Sequence, residues 1–167
     1  MLTYPGTYAL ILFAASDKLI EIGKLGRFAF TPGFYVYVGS ACGPGGLKAR
    51  IAHHETIAQR PHWHMDYLRP ALQLKEVWYS YGAKRHEHQW ANALGGLKGA
   101  GIPIVGFGSS DCSCKSHLLS FTAKPSIGLF RNQVHAKWNM RSKKGGTILK
   151  RKIISNAGQA AFKKQKG

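Results

Sequence analysis

The stretch GTYALILFAA, residues 6–15, limits the fold more than any other part of the chain. It is nearly continuous in apolar residues, with β-prone Tyr8, Ile11 and Phe13 and no polar alternation, so it reads as a strand covered on both faces. Such a strand needs packed layers above and below it. Ser16-Asp17 offers a turn, KLIEIGKLGRFAF (18–30) reads as a returning strand and glycine-interrupted ribbon, and Pro32-Gly33 turns the chain into a further strand, FYVYVG (34–39). Loop 40–46 leads to a helix from near Leu47, on which Leu47 and Ile51 face the core while Arg50 and His54 lie one turn apart on a shared face. HWHMDYL (62–68) precedes a strand, KEVWYSY (75–81), and a helix, HEHQWANAL (86–94), that ends at Gly95-Gly96. Residues 102–121 are expected to mix a short strand, a loop and a helical turn through CKSHLL, capped by Asp111 or Ser110. The expected fold is a small α/β (α+β) domain with a central, mainly antiparallel sheet flanked by helices.

A chain of 167 residues suits one domain with a sizeable core. We expect that domain at 1–125 and a basic, flexible tail at 126–167. The charge divides the same way: of 24 Lys+Arg and 7 Asp+Glu, residues 131–167 hold 11 basic and no acidic side chains. Such a balance is common in proteins that bind nucleic acid. Lys143, Lys144, Lys150, Arg151 and Lys152 are therefore expected to neutralise phosphates, with Trp138 adding stacking. No apolar run approaches the roughly 18–20 residues of a membrane span, and the N-terminus shows no secretory pattern, so no membrane partner and a cytoplasmic location are expected. Three cysteines, Cys42, Cys112 and Cys114, give no disulfide framework and fit a reducing compartment.

The glycine-rich GSACGPGGLKAR (39–50) lacks both the Gly-Lys-Ser/Thr ending of a phosphate-binding P-loop and the spacing of a dinucleotide loop. Several polar residues admit two readings at this level. Tyr8 is either a core aromatic or a functional phenol, and Tyr37 alternates with Tyr35 as ordinary cross-strand packing would require. Arg50 is either a solvated helix residue or a fork suited to phosphate oxygens, and His54 is either a lone surface histidine or a group that orients a neighbour or moves its proton. Glu87 is one of few carboxylates in a very basic chain.

In this order, GTY (6–8), YVG (37–39), Arg50, His54 and Glu87 resemble the GIY-YIG nuclease superfamily. GFYVYVGSA, HWHMDYL and GFGSSDCSCKSHL look like its branch described as a domain of unknown function, sometimes joined to an endonuclease III-type repair glycosylase. The resemblance covers about residues 5–122, with a longer insert between the two motifs (9–36) than in many members. It implies a metal-dependent DNA endonuclease acting in repair or processing, with Tyr8 as general base, Tyr37 positioning water or phosphate, Arg50 on phosphate, His54 serving Tyr8, and Glu87 holding Mg²⁺ or Mn²⁺. Lys48, His62, Trp63 and His64, with Asp66, are expected to line the substrate groove. The partners implied are DNA, with RNA left open, and DNA-repair proteins. Zinc at Cys112, Cys114 and His117 is not expected, because structural sites place cysteines two to four residues apart and C-x-C is uncommon. Two other readings stay open: a non-catalytic nucleic-acid-binding module, and a zinc-stabilised accessory domain of a repair complex.

Overall fold

The computed structural model describes residues 1–139 and 148–155. The long apolar run forms β1 (Gly6–Ala14), the middle of a five-stranded sheet. It pairs antiparallel with β4 (Gly33–Ala41) on one side and β5 (Gln73–Tyr81) on the other. Between β1 and β4, β2 (Lys18–Ile22) and β3 (Gly26–Phe30) form a separate two-stranded ribbon. The helices are α1 (Gly46–Glu55), α2 (His64–Leu68), α3 (Glu87–Gly95) and α4 (Ile127–Asn139). The outer strands are β6 (Leu118–Phe121) on β4 and β7 (Lys150–Ile153) on β5.

Successive side chains of a strand point to opposite faces, and β1 buries both. Tyr8, Leu10 and Leu12 face a core shared with Leu47 and Ile51 of α1, Met65 and Leu68 of α2 and Phe30 of the ribbon. Ala9 and Ile11 face a second core with Trp78, Trp90 and Leu94 of α3, and Phe130 of α4. The sheet therefore lies between two helical layers, and β1 has no polar alternation because neither of its faces meets water.

Two expectations are corrected. The packed body does not end at residue 125. Phe130 is fully buried, stacked on Trp78 with ring centroids 5.5 Å apart and edge-on to Trp90 at 5.2 Å. The basic segment Lys150–Ile153 forms an edge strand, where charged side chains reach water while the backbone still pairs. Nor does CKSHLL form a helical turn: Leu118–Phe121 extends along Phe34–Tyr37 of β4, because pairing buries Leu118, Leu119 and Phe121 against the two cores.

Candidate active site

The site begins with a cross-strand pair. Tyr8 of β1 is the register partner of Gly39 of β4, and a Cβ on Gly39 would stand 2.6 Å from the Tyr8 hydroxyl oxygen. The missing side chain at Gly39 is what lets the phenol lie across β4. Its oxygen is 2.9 Å from Nε2 of His54, with Tyr37 closing the aromatic group: its ring centroid is 6.4 Å from each of the other two.

The helix carrying His54 is tied at both ends. The amides of Leu47 and Lys48, in its first turn, donate to the carbonyls of Tyr4 (2.9 Å) and Leu2 (3.2 Å). Those donors are thereby used internally, and a Cβ on Gly46 (φ +54°) would collide with the Thr3 and Tyr4 carbonyls at 2.3 Å. The glycine loop thus seats the N-terminal segment on the helix start. At the other end, buried Arg69 donates from Nε to the His54 carbonyl at 2.6 Å and from Nη1 to that of Leu72 at 2.7 Å.

Tyr8, Tyr37, Arg50, His54 and Glu87 all line one cleft of about 240 Å³. The Arg50 guanidinium lies over the Trp63 ring, 4.2 Å from its centroid, which holds a long side chain in place. Glu87 opens α3, and this start is fixed by Thr7, next to Tyr8 on β1, whose Oγ1 accepts the His86 amide at 3.0 Å. One strand thereby places the phenol on one face and anchors the carboxylate's helix on the other.

Burial sets the protonation of the aromatic group. Tyr8 is held well above the usual phenol value, by burial first and then by Tyr37, with Arg50 opposing. Burial likewise pushes Tyr37 up to about 12. His54 is lowered to about 3 by burial, then by neighbouring His53 and Arg50, so its ring is neutral at ordinary pH. A neutral ring meets the Tyr8 hydroxyl as an uncharged hydrogen-bonding group.

The remaining groove residues divide. Trp63 is exposed and lines the cleft. Lys48 is exposed on α1, and His62 is exposed with its ring 5.6 Å from that of Trp63. Lys48, His62, His64 and Asp66 do not line the cleft. The His64 ring packs 5.3 Å from Phe107, and its Nδ1 accepts the Gly108 amide at 3.4 Å. Asp66 is buried, accepting the amides of His62 (2.9 Å) and Trp63 (3.0 Å) and pairing with His53 at 2.8 Å. It caps the turn into α2, and those bonds hold its carboxyl below the usual range. Lys150 and Lys152 partner Tyr79 and Val77, which partner Tyr8 and Leu10, so both stand on the face that carries Tyr8. Lys152 is ion-paired with Glu55, whereas Arg151, opposite Trp78, takes the other face. Lys143 and Lys144 lie outside the described residues.

Two cleft residues escaped the sequence reading, Arg85 and Asp111. Asp111 arrives from the loop before β6, and only the fold brings it to the same cleft as Glu87.

A divalent cation of the hard, oxygen-seeking kind fits Glu87. The residue is 8% exposed, and its nearest cationic partner among the described residues is His88 Nε2 at 3.9 Å, beyond hydrogen-bond reach. Its side chain, 11% exposed, lines the cleft, so the carboxylate is open to a cation entering there. A group of metal-binding type, His88, Cys112, Cys114 and His117, adjoins the cleft through His117 and joins the loop before β6 to α3's first turn.

A family model described as Domain of unknown function DUF123 matches residues 7–140. No curated protein and no solved structure matches the chain.

Proposed function

The chain belongs to the family described as Domain of unknown function DUF123, and from that premise we propose that it is a divalent-metal-dependent endonuclease of the GIY-YIG type, hydrolysing phosphodiester bonds of DNA in repair or processing. The observation that carries this reading is the Tyr8–His54 pair, 2.9 Å apart, in the cleft that also holds Arg50 and Glu87. A general base, a guanidinium fork and a carboxylate for a cation are the groups that phosphodiester hydrolysis requires.

In this mechanism the Tyr8 oxygen, as the phenolate, takes the proton of the attacking water and becomes the neutral phenol. His54, neutral and buried, donates from Nε2 to that oxygen and fixes its direction. Arg50, held over Trp63, binds phosphate oxygens through two parallel N–H bonds, which a lysine does not reproduce. Tyr37 walls the cleft and aligns the water. Glu87, with Asp111 of the same cleft, would hold Mg²⁺ or Mn²⁺. When bound, that ion supplies stabilisation of the negative charge developing on the phosphate and the leaving oxygen. Basic side chains on the Tyr8 face, Lys150 among them, supply sequence-independent affinity for the duplex or its unpaired parts.

The test is a nicking assay on labelled duplex, nicked, branched and single-stranded DNA, with Mg²⁺, Mn²⁺ or chelator. Metal-dependent products that disappear in Tyr8→Phe support the reading. Salt-sensitive binding with no cleavage of any substrate overturns it in favour of a binding module.

A further inference from the structure

The loop between α3 and β6 carries two cysteines and a histidine, and the fold brings a fourth donor to them from far away in sequence. His88, in the first turn of α3, places Nδ1 3.3 Å from Sγ of Cys114. Across the cluster, Sγ of Cys112 is 3.4 Å from Nε2 of His117. The His88 and His117 rings are 5.4 Å apart, and all four donor atoms lie within 4.8 Å of one another.

The two short separations, 3.3 and 3.4 Å, are those of a coordination shell, and the other donor atoms, all within 4.8 Å, need only close in around an ion. Zinc bound tetrahedrally at about 2.3 Å from sulfur and about 2.0–2.1 Å from nitrogen sets its donor atoms roughly 3.3–3.8 Å apart. Two thiolates with two imidazoles form the Cys₂His₂ set typical of structural zinc, and they are too soft a set for Mg²⁺. The C-x-C spacing counts against zinc only when both cysteines must belong to a local knuckle. Here the shell is closed by a helix residue 24 positions before Cys112.

The two ends of the loop are pinned, by Gly106 N–H to the Lys115 carbonyl at 2.7 Å and His117 N–H to the Phe107 carbonyl at 2.8 Å, but its tip is open. Ser110, Asp111, Ser113 and Lys115 are exposed, while Cys112 and Cys114 are only half-buried. Yet this loop delivers Asp111 and His117 to the cleft, and His88 directly follows Glu87. A crosslink between the loop and α3 would fix both carboxylates.

We propose that His88, Cys112, Cys114 and His117 bind one Zn²⁺ as a closed, structural site that pins the loop before β6 to the first turn of α3. With four protein ligands the ion has no open position for substrate. The proposal stands on the four side chains and does not depend on the nuclease reading.

The test uses the full chain, purified without chelator from zinc-supplemented cells under reducing conditions. The expected result is about one zinc ion per chain after dialysis, released by a thiol-reactive mercurial. Cys112→Ser, Cys114→Ser and His88→Asn should each lose the ion to a chelator concentration that leaves the wild type loaded. Because a cysteine variant can also fail to fold, the wild-type chain is stripped and titrated with Co²⁺. An intense tetrahedral visible spectrum with a sulfur-to-cobalt charge-transfer band is expected. The proposal is overturned by wild-type protein with negligible zinc and two freely reactive loop thiols, by a Cys112–Cys114 disulfide persisting under reduction, by a weak octahedral cobalt spectrum, or by undiminished zinc in the folded double cysteine-to-serine variant.

Discussion

The Tyr8 hydroxyl oxygen lies 2.9 Å from Nε2 of His54, and Nδ1 on the other side of that buried ring has no hydrogen-bond partner among the described residues. An unpaired buried N–H costs on the order of 1–3 kcal/mol. We therefore assign the neutral ring's single proton to Nε2, from which it donates to the phenol oxygen. Such a donor favours the phenolate without taking the proton itself. In the phenolate form the oxygen's remaining lone pairs face the cleft, where Arg50 lies and Glu87 would hold a cation. This relationship gives His54 a signature in stability as well as in rate.

Burial lowers the His54 value from about 6.5 to about 3, so the folded state disfavours the protonated ring. The stability tied to the neutral ring is complete above the unfolded value and is lost as pH falls through 6.5 toward 3. The slope reaches at most about 1.4 kcal/mol per pH unit. Urea midpoints between pH 7 and 4 should fall more steeply for the wild type than for His54→Gln, which cannot titrate. Asp66, with its lowered carboxyl, acts in the same direction in both proteins. Parallel curves would remove His54 as the buried titrating group.

Gly39→Ala tests the close approach beneath the phenol. The new Cβ would stand 2.6 Å from the Tyr8 oxygen and 2.7 Å from Cζ, so the ring must move. Stability should drop by about 1–3 kcal/mol through overpacking. Cleavage should fall by roughly 10²-fold, the scale of a reacting group displaced by about an ångström. Wild-type cleavage would mean that the position of the Tyr8 hydroxyl is not critical.

Glu87→Gln keeps shape and hydrogen bonding but removes the charge that would hold the cation. Metal-dependent cleavage should fall by about 10²-fold or more, while DNA affinity in a gel-shift assay stays within a few-fold. A variant that cuts at the wild-type rate would exclude Glu87 as the cation's ligand. Cleavage and binding lost together would point to a damaged fold.

Phe130→Ala should cost about 3–5 kcal/mol, the usual range for emptying a fully buried aromatic site. Phe130 is packed between Trp78 and Trp90. The urea midpoint should fall accordingly. A loss under about 1 kcal/mol would return α4 to the status of an appendage.

That last position shows where sequence reasoning stopped. β1 was legible because a strand buried on both faces writes its burial into every residue, and β4 and β5 because their aromatic and β-branched residues leave little choice. Arg50 and His54 could be placed on one helical face from their spacing alone. Lys150–Ile153 was hidden by its own composition: at a sheet edge the backbone pairs while the side chains face water, so KRKI reads like solvated chain. Phe130 lies in a helix whose apolar pattern is weak beside the basic residues that follow. The grouping of His88 with Cys112, Cys114 and His117, and of Asp111 with Glu87, is set by the path of the loop before β6, and no local spacing encodes it.

The most direct measurement of the central claim is single-turnover nicking of a labelled DNA substrate by wild type and Tyr8→Phe at saturating Mg²⁺, from pH 6 to 9. Tyr8 is held above the usual phenol value by burial, so the reactive phenolate is scarce near neutrality and increases with pH. The account predicts a wild-type rate that climbs with pH. It also predicts a Tyr8→Phe rate roughly 10²–10⁴-fold lower, the scale of a lost general base, with unchanged folding and DNA binding. Equal rates for the two proteins across the range would contradict it.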